Sequence, residues 1–171
     1  VNIKIPLNVL MAAGKLTREQ RDPLLATMTD DIAQFVLRDN YVQSLAVSLL
    51  EQPAVSRVDE HANTIRTQER EGLVRSQIAF LPDGAAMKER RSHGRGLTRP
   101  ELSVLLAYSK ISLEAAMVKS DVPDDPFFER DLLSNFPAEL VQRYRDALVH
   151  HHLHREIIAT LLTNAVANRM G

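Results

Sequence analysis

The 171-residue sequence contains no cysteine, which excludes disulfide bonds, thiolate metal sites and a cysteine nucleophile together. Glycine is scarce as well. Of the six glycines, only Gly94 and Gly96 lie close together in the sequence. The sequence therefore has no glycine-rich loop of the kinds that bind dinucleotides or nucleotide phosphates. Because a protein without cysteine suits a reducing compartment, we expect it to be cytoplasmic.

Long apolar runs and an excess of one charge are also missing. Uninterrupted apolar stretches such as residues 104–108 are far shorter than the roughly 20 residues of a membrane span. Lysine and arginine together number 21 against 22 acidic residues, so no overall field attracts nucleic acid or an anionic membrane. We therefore expect one soluble globular core, with neither nucleic acid nor a membrane as partner.

What the sequence does contain is helical periodicity, most clearly in the middle of the chain. Thr98 and Glu101 have the spacing of a capping box, and Pro100 lies in the first turn, where its missing N–H costs little. Apolar residues follow on two neighbouring stripes that cover more than half of the helix surface. We predict a central apolar helix over residues 98–119, with Leu105 in the core.

Other segments predict helices that pack around this one. Thr29 can cap a long helix that ends before Pro53, and residues 54–71 carry a narrow apolar seam that predicts the most exposed helix. A break is expected near His152, and three phenylalanines within residues 127–136 are expected to close one end of the bundle. The fold class is therefore all-α, an irregular bundle of about six to eight helices.

The first ten residues differ from the rest of the chain. Residues 1–5 alternate apolar and polar side chains, which is typical of a strand, but no other segment could pair with them. We predict that residues 1–10 form an extended exit segment from an upstream domain outside this sequence. Residues 11–171 are then predicted to form a single helical domain.

A histidine cluster is the metal-like signal in the sequence. His150 and His154 are four residues apart and would share a helical face, and imidazoles are common zinc ligands. The cluster, which includes His151 and His152, has no third ligand at a convincing spacing. Histidines at the end of a helix also suit its negative dipole end. We favour this structural interpretation and retain His150 and His154 as metal candidates.

Two further polar groups invite a functional interpretation. Residues 88–95 are locally basic and could present guanidinium groups to a phosphate, although a solvated loop is the favoured interpretation. Asp39 and Gln43 fall within the apolar face of the long helix and are predicted to be buried and hydrogen-bonded. Residues 38–41 have no nucleophile or second carboxylate at a suitable spacing, so we predict a structural link between helices.

Several longer motifs occur in order along the whole chain. Residues 96–102 read Gly-Leu-Thr-Arg-Pro-Glu-Leu, and residues 104–111 read Val-Leu-Leu-Ala-Tyr-Ser-Lys-Ile. The others are Val-Asn-Ile-Lys-Ile at 1–5, Leu-Arg-Asp-Asn-Tyr at 37–41, Arg-Glu-Ile-Ile-Ala at 155–159 and Asn-Arg-Met-Gly at 168–171. With these motifs the chain resembles the large NAD-specific glutamate dehydrogenases of bacteria, in the helical region just after the catalytic part.

The resemblance implies an intact enzyme that oxidatively deaminates L-glutamate to 2-oxoglutarate and ammonium with NAD. It also implies that the catalytic lysine, the substrate-binding residues and the NAD-binding fold all precede residue 1. No catalytic or cofactor-binding residue is therefore assigned here, and Tyr108 and Lys110 are assigned to a packing helix. The implied partners are the rest of the dehydrogenase chain and further copies in a homo-oligomer.

The leading interpretation is a scaffold or regulatory domain that contacts the catalytic region or a neighbouring subunit through its N-terminal end and residues 54–71. One alternative is an independent effector-binding or protein-interaction module. Another, motivated only by the basic residues 88–95, is a nucleic-acid-binding domain.

Overall fold

The computed structural model describes residues 2–170, without the side chain of Met170, and within these residues the fold is entirely helical. The all-α prediction is confirmed. The described residues form ten α-helices, more than the six to eight expected because short helices add to the long ones. They are α1 (Lys4–Ala12), α2 (Arg18–Thr27), α3 (Thr29–Glu51), α4 (Val58–Arg70), α5 (Ser76–Ala79), α6 (Gly84–Ser92), α7 (Arg99–Lys119), α8 (Glu129–Ser134), α9 (Ala138–Val149) and α10 (His154–Met170).

The N-terminal segment is helical, which corrects the prediction of an extended strand. Residues 4–12 form α1, and the alternating pattern ends too soon to outweigh the helical spacing of buried Leu7 and the partly buried Leu10 and Met11. Pro6 lies in the first turn, where the helix has no hydrogen bond for its nitrogen to lose. Val1 is outside the described residues. The helix runs through position 10, and the domain boundary predicted there stays a prediction.

The chain divides into two compact units, each built from two stretches of sequence. Unit 1 comprises Val1–Asn40 and Ala116–Leu162, and unit 2 comprises Tyr41–Ala115 and Thr163–Gly171. Helices α3, α7 and α10 each contribute residues to both units. Each unit has its own buried apolar cluster.

The core of unit 1 joins residues from α1, α2, α8, α9 and the first part of α10. Its buried members are Leu7, Leu16, Leu24, Met28, Leu132, Phe136, Leu140, Leu148, Ile157 and Ile158. The phenylalanines contribute unequally. Phe136 is buried and Phe128 packs at the edge, whereas Phe127 is exposed and does not help to close the core.

The core of unit 2 is formed by residues between Leu50 and Leu105. Its buried members are Leu50, Ala54, Val58, Ile65, Val74, Leu81, Met87, Leu97, Leu102 and Leu105. Helix α7 begins directly after Thr98, as predicted, and buries Leu102 and Leu105. Most of its second apolar stripe is half-buried, and Ile111 is exposed, so a central position for α7 stays a prediction.

Helix α3, and not α4, is the more exposed of the two helices. The boundaries of α3 match the prediction, but its 23 residues bury only Ala46 and Leu50. Helix α4 buries four of its 13 residues, at the spacing of a helical seam. The prediction that residues 54–71 hold the most exposed helix is therefore wrong, because the seam of α4 is covered while most of α3 is not. The large apolar side chains that α3 exposes are Val36, Leu37, Tyr41, Leu45 and Leu49.

The predicted break near His152 is confirmed, since α9 ends at Val149 and α10 begins at His154. None of the described helices combines the length and the apolar character that a membrane crossing needs.

Candidate functional site

The histidine cluster lies in unit 1, where the break between α9 and α10 separates its members. His150 caps α9, and its Nδ1 lies 2.8 Å from the carbonyl oxygen of Asp146. His154 is the first residue of α10, with its Nε2 3.7 Å from a carboxylate oxygen of Asp124. The two candidates therefore do not share a helical face. No group of three potential metal ligands occurs among residues 2–170, so the structure places no third ligand beside His150 or His154.

His151, between them, is buried and holds two parts of unit 1 together. Its Nδ1 accepts a hydrogen bond from the backbone amide of Leu153 at 2.9 Å, so the ring proton is on Nε2. That Nε2 lies 2.9 Å from the carbonyl oxygen of Asn2 and donates to it. Both ring nitrogens are therefore satisfied, and His151 is a structural residue.

The basic stretch at residues 88–95 lies in α6 and the turn after it, in unit 2. Arg90 donates to both carboxylate oxygens of Glu101, at 2.6 and 2.7 Å, and Arg91 donates to Asp59 at 2.7 Å. Two of the arginines that were candidates for a phosphate site are thus paired with carboxylates. This arrangement favours the structural interpretation of the stretch.

Glu101 accepts several hydrogen bonds in this part of unit 2. It accepts hydrogen bonds from the backbone amide and the hydroxyl of Thr98, at 2.7 and 2.8 Å, which confirms the reach-back bond of the predicted capping box. Burial alone would raise the pKa of Glu101, but the hydrogen bonds from Arg90 and Thr98 outweigh it and lower that pKa. The same hydrogen bond from Arg90 to Glu101 raises the pKa of the guanidinium.

The remaining residues of the 96–102 motif also have structural contacts. A Cβ atom at Gly96 would lie 2.4 Å from the carbonyl carbon and oxygen of Ala54, so only glycine fits there. Arg99 donates to the hydroxyl of Ser48 and to Glu51, at 2.9 and 3.0 Å. The motif that carries the strongest resemblance therefore fixes the start of α7 against its neighbours in unit 2.

Asp39 and Gln43 are exposed on α3, so the prediction that they are buried is wrong. The face of α3 on which both residues lie is largely exposed to solvent, so these side chains remain hydrated. Arg38 and Tyr41, beside them, are exposed as well.

Lys110 belongs to a structural link between α7 and the end of α10 in unit 2. Its ammonium donates to the side-chain oxygens of Asn164 and Asn168, at 3.0 and 2.9 Å. In unit 1, Arg155 forms a comparable link, since it pairs with Asp124 and donates to the carbonyl oxygens of Val118 and Ser120, both at 2.9 Å. The hydrogen bond from Arg155 lowers the pKa of Asp124.

A second buried histidine, His61 on α4, was missed by the sequence interpretation. It lines a cavity of about 230 Å³ in unit 2, and burial, followed by the charge of Arg57, lowers its pKa. The signal was available in the sequence, because the buried positions of α4 follow one another at steps of three and four. They are Val58, His61, Ile65 and Gln68.

Comparisons with known proteins agree with the resemblance along the whole chain. The family model described as the catalytic domain of bacterial NAD-glutamate dehydrogenase matches residues 1–50, and the one described as the C-terminal part of glutamate dehydrogenase matches residues 94–171. The catalytic-domain match thus reaches well beyond residue 10.

Three curated relatives match all 171 residues, and each is called NAD-specific glutamate dehydrogenase. The chain is 44% identical to the protein of Pseudomonas aeruginosa, 41% identical to that of Halomonas elongata and 34% identical to that of Mycobacterium tuberculosis. It spans 11%, 11% and 10% of the length of these relatives, respectively.

Proposed function

Because the chain belongs to the bacterial NAD-specific glutamate dehydrogenases, we propose that it works as a helical scaffold within a longer enzyme of this kind. That enzyme would oxidatively deaminate L-glutamate to 2-oxoglutarate and ammonium while NAD is reduced to NADH. The rest of the dehydrogenase chain is the proposed partner, and further copies of the enzyme complete a proposed homo-oligomer.

The observation that carries this proposal is an apolar row on α3. Tyr41, Leu45 and Leu49 recur every fourth residue and are 68%, 43% and 44% exposed. Contiguous apolar surface of this kind is typical of a site that is covered by another protein segment. The row lies within the residues that match the catalytic-domain model, and about nine-tenths of the relatives' length lies outside the matched region.

The chemistry of the described side chains favours a scaffold over a catalyst. Arg90, Glu101 and Arg155 are held in ion pairs, and Lys110 is bound by two amide oxygens. The described residues also contain no strand that leads through a glycine-rich turn into a helix, which is the usual arrangement of a dinucleotide-binding site. We assign no NAD contact and no catalytic step to this chain.

The proposal is tested by placing a charge on the apolar row in the longer enzyme. Leu45→Glu should reduce assembly or turnover at least about tenfold, because a covered leucine would become a buried charge. In the 171-residue chain the same change should leave the melting temperature unaltered, since Leu45 is exposed there.

Gln43→Glu is the matched control, since it introduces the same side chain at an exposed polar position of the same helix. It should leave assembly and turnover unchanged. Normal assembly and turnover of the Leu45→Glu enzyme would refute the docking role of the row.

A further inference from the structure

The cavity beside His61 is enclosed entirely by residues of unit 2. Its volume is about 230 Å³, and leucines from α3 and α7 form most of its apolar lining. Its polar lining comes mainly from Arg57, which precedes α4, and from Glu60, His61 and Thr64 of α4. An apolar wall with a few polar groups on one side is the usual composition of a small-molecule site.

His61 supplies an unsatisfied hydrogen-bonding atom in this lining. The residue is only 6% exposed, and its Nδ1 is buried without a hydrogen-bond partner within the described part of the chain. A buried polar atom left unpaired is costly, and native proteins seldom keep one without a use.

The other polar groups of the lining already have partners. The hydroxyl of Thr64 donates to the carbonyl oxygen of Glu60, and the hydroxyl of Ser109 donates to that of Leu105 and accepts from Gln68. Arg57 and Glu60 form an ion pair with each other at 2.7 Å. Nδ1 of His61 is therefore the buried unpaired atom of this lining, and the two charged side chains pair with each other.

We propose that this cavity binds a small uncharged molecule with an apolar body and one hydroxyl group, and that the hydroxyl pairs with Nδ1 of His61. A hydroxyl both donates and accepts, so it suits either tautomer of the imidazole. A charged ligand is disfavoured, because it would lose its hydration without gaining an opposite charge. This inference does not depend on the proposed scaffold role, and its test needs only the 171-residue chain.

The experiment compares two probes of the same shape, p-cresol and p-xylene, by calorimetry and by the melting temperature. We expect p-cresol to bind with a dissociation constant below about 1 mM, within reach of so small a molecule. We expect p-xylene to bind about tenfold more weakly, because it cannot pair with His61.

Two variants distinguish the contribution of the His61 hydrogen bond to binding from that of the cavity volume. His61→Leu keeps the apolar wall and should bind both probes equally, whereas Ala167→Leu fills part of the cavity and should bind neither. His93→Leu makes the same change at an exposed histidine of unit 2 and should bind like the unaltered chain.

Several results would overturn the proposal. Failure of both probes to bind would mean that the cavity is not a site for such ligands. Equal affinities in the unaltered chain, or a preference for p-cresol that survives in His61→Leu, would remove the role of Nδ1. Unchanged binding to Ala167→Leu would place the probes elsewhere.

Discussion

The two compact units treat a buried histidine in opposite ways. In unit 1, His151 is 2% exposed and both of its ring nitrogens are hydrogen-bonded. In unit 2, His61 is almost as buried, but its Nδ1 has no partner. The difference shows that burial alone does not reveal the role of a polar residue, because the role depends on whether its hydrogen bonds are made.

The contrast extends beyond the histidines. Within the described residues, every buried side-chain atom that lacks a hydrogen bond belongs to unit 2, on His61, Gln68, Ser76 and Thr163. In the described part of unit 1, the one buried polar side chain is His151, and both of its ring nitrogens are hydrogen-bonded. Unit 2 therefore has buried polar atoms that could still pair with a ligand, whereas the buried histidine of unit 1 has a purely structural role.

The largest expected effect compares the two cores. Leu140→Ala in unit 1 removes a fully buried side chain and should lower the free energy of unfolding by about 4 kcal/mol. Leu105→Ala in unit 2 should cost about 2 kcal/mol, because this leucine already borders a cavity. Chemical denaturation of both variants measures the difference, and Val36→Ala, at an exposed position, should stay within about 0.5 kcal/mol of the unaltered chain.

Equal losses at Leu105 and Leu140 would show that the cavity does not loosen unit 2. A loss well below 2 kcal/mol at Leu105 would contradict its place in the core.

The second effect tests how tightly unit 2 is closed where α7 begins. Gly96→Ala should cost about 3 kcal/mol, because the new methyl group would meet the backbone of Ala54. Gly84→Ala adds the same group in the first turn of α6, where nothing lies within 4 Å, and should be neutral or slightly stabilising. Thermal unfolding of both variants is the measurement, and equal melting temperatures would show that the backbone at Ala54 yields easily.

The third effect tests the two histidines directly. His151→Leu leaves the carbonyl of Asn2 and the amide of Leu153 without partners and should cost about 2 kcal/mol. His61→Leu removes an unsatisfied atom and should be neutral or stabilising. Denaturation curves of the two variants measure these values. A similar loss of stability in both would contradict the different roles assigned to the two histidines.

The smallest effect is a dependence on pH. The pKa of His61 is lowered by burial and by Arg57, against the opposing charge of Glu60, so the unfolded chain binds its proton more readily than the folded one. Its contribution to stability is therefore present above pH 6.5, the ordinary pKa of histidine, and is lost as the pH falls from there through the folded pKa.

Thermal unfolding between pH 7.5 and about 5 checks this sign. The unaltered chain should lose more stability than His61→Leu over that range, because the other titrating groups are common to both. Parallel curves would contradict the assignment.

The parts of the fold that local signals define could be predicted from the sequence. The cap at Thr98, the helix from Thr29 to Glu51 and the break before His154 each depend on a few neighbouring residues. The exposure of α3 and α4 could not be predicted, because it depends on which distant segments cover a face. The placement of Asp39 and Gln43 failed for this reason.

The candidate site could not be predicted from the sequence for a related reason. The position of His61 on the buried seam of α4 follows from its spacing to Val58 and Ile65. The cavity beside it does not, because its wall is assembled from segments far apart in the sequence. The strong 96–102 motif, by contrast, proved to carry structural contacts, so the prediction that it belongs to a packing helix agrees with the geometry.

The bond between His151 and the carbonyl of Asn2 spans 149 positions of the chain, and this separation has a consequence during synthesis. At about 5–20 residues per second, the ribosome needs roughly 7 to 30 s to add the residues between them. For that time the first helix has been made while its histidine has not. Leu7 and the rest of the apolar side of α1 therefore lack their core partners from α9 and α10 until those helices have been made.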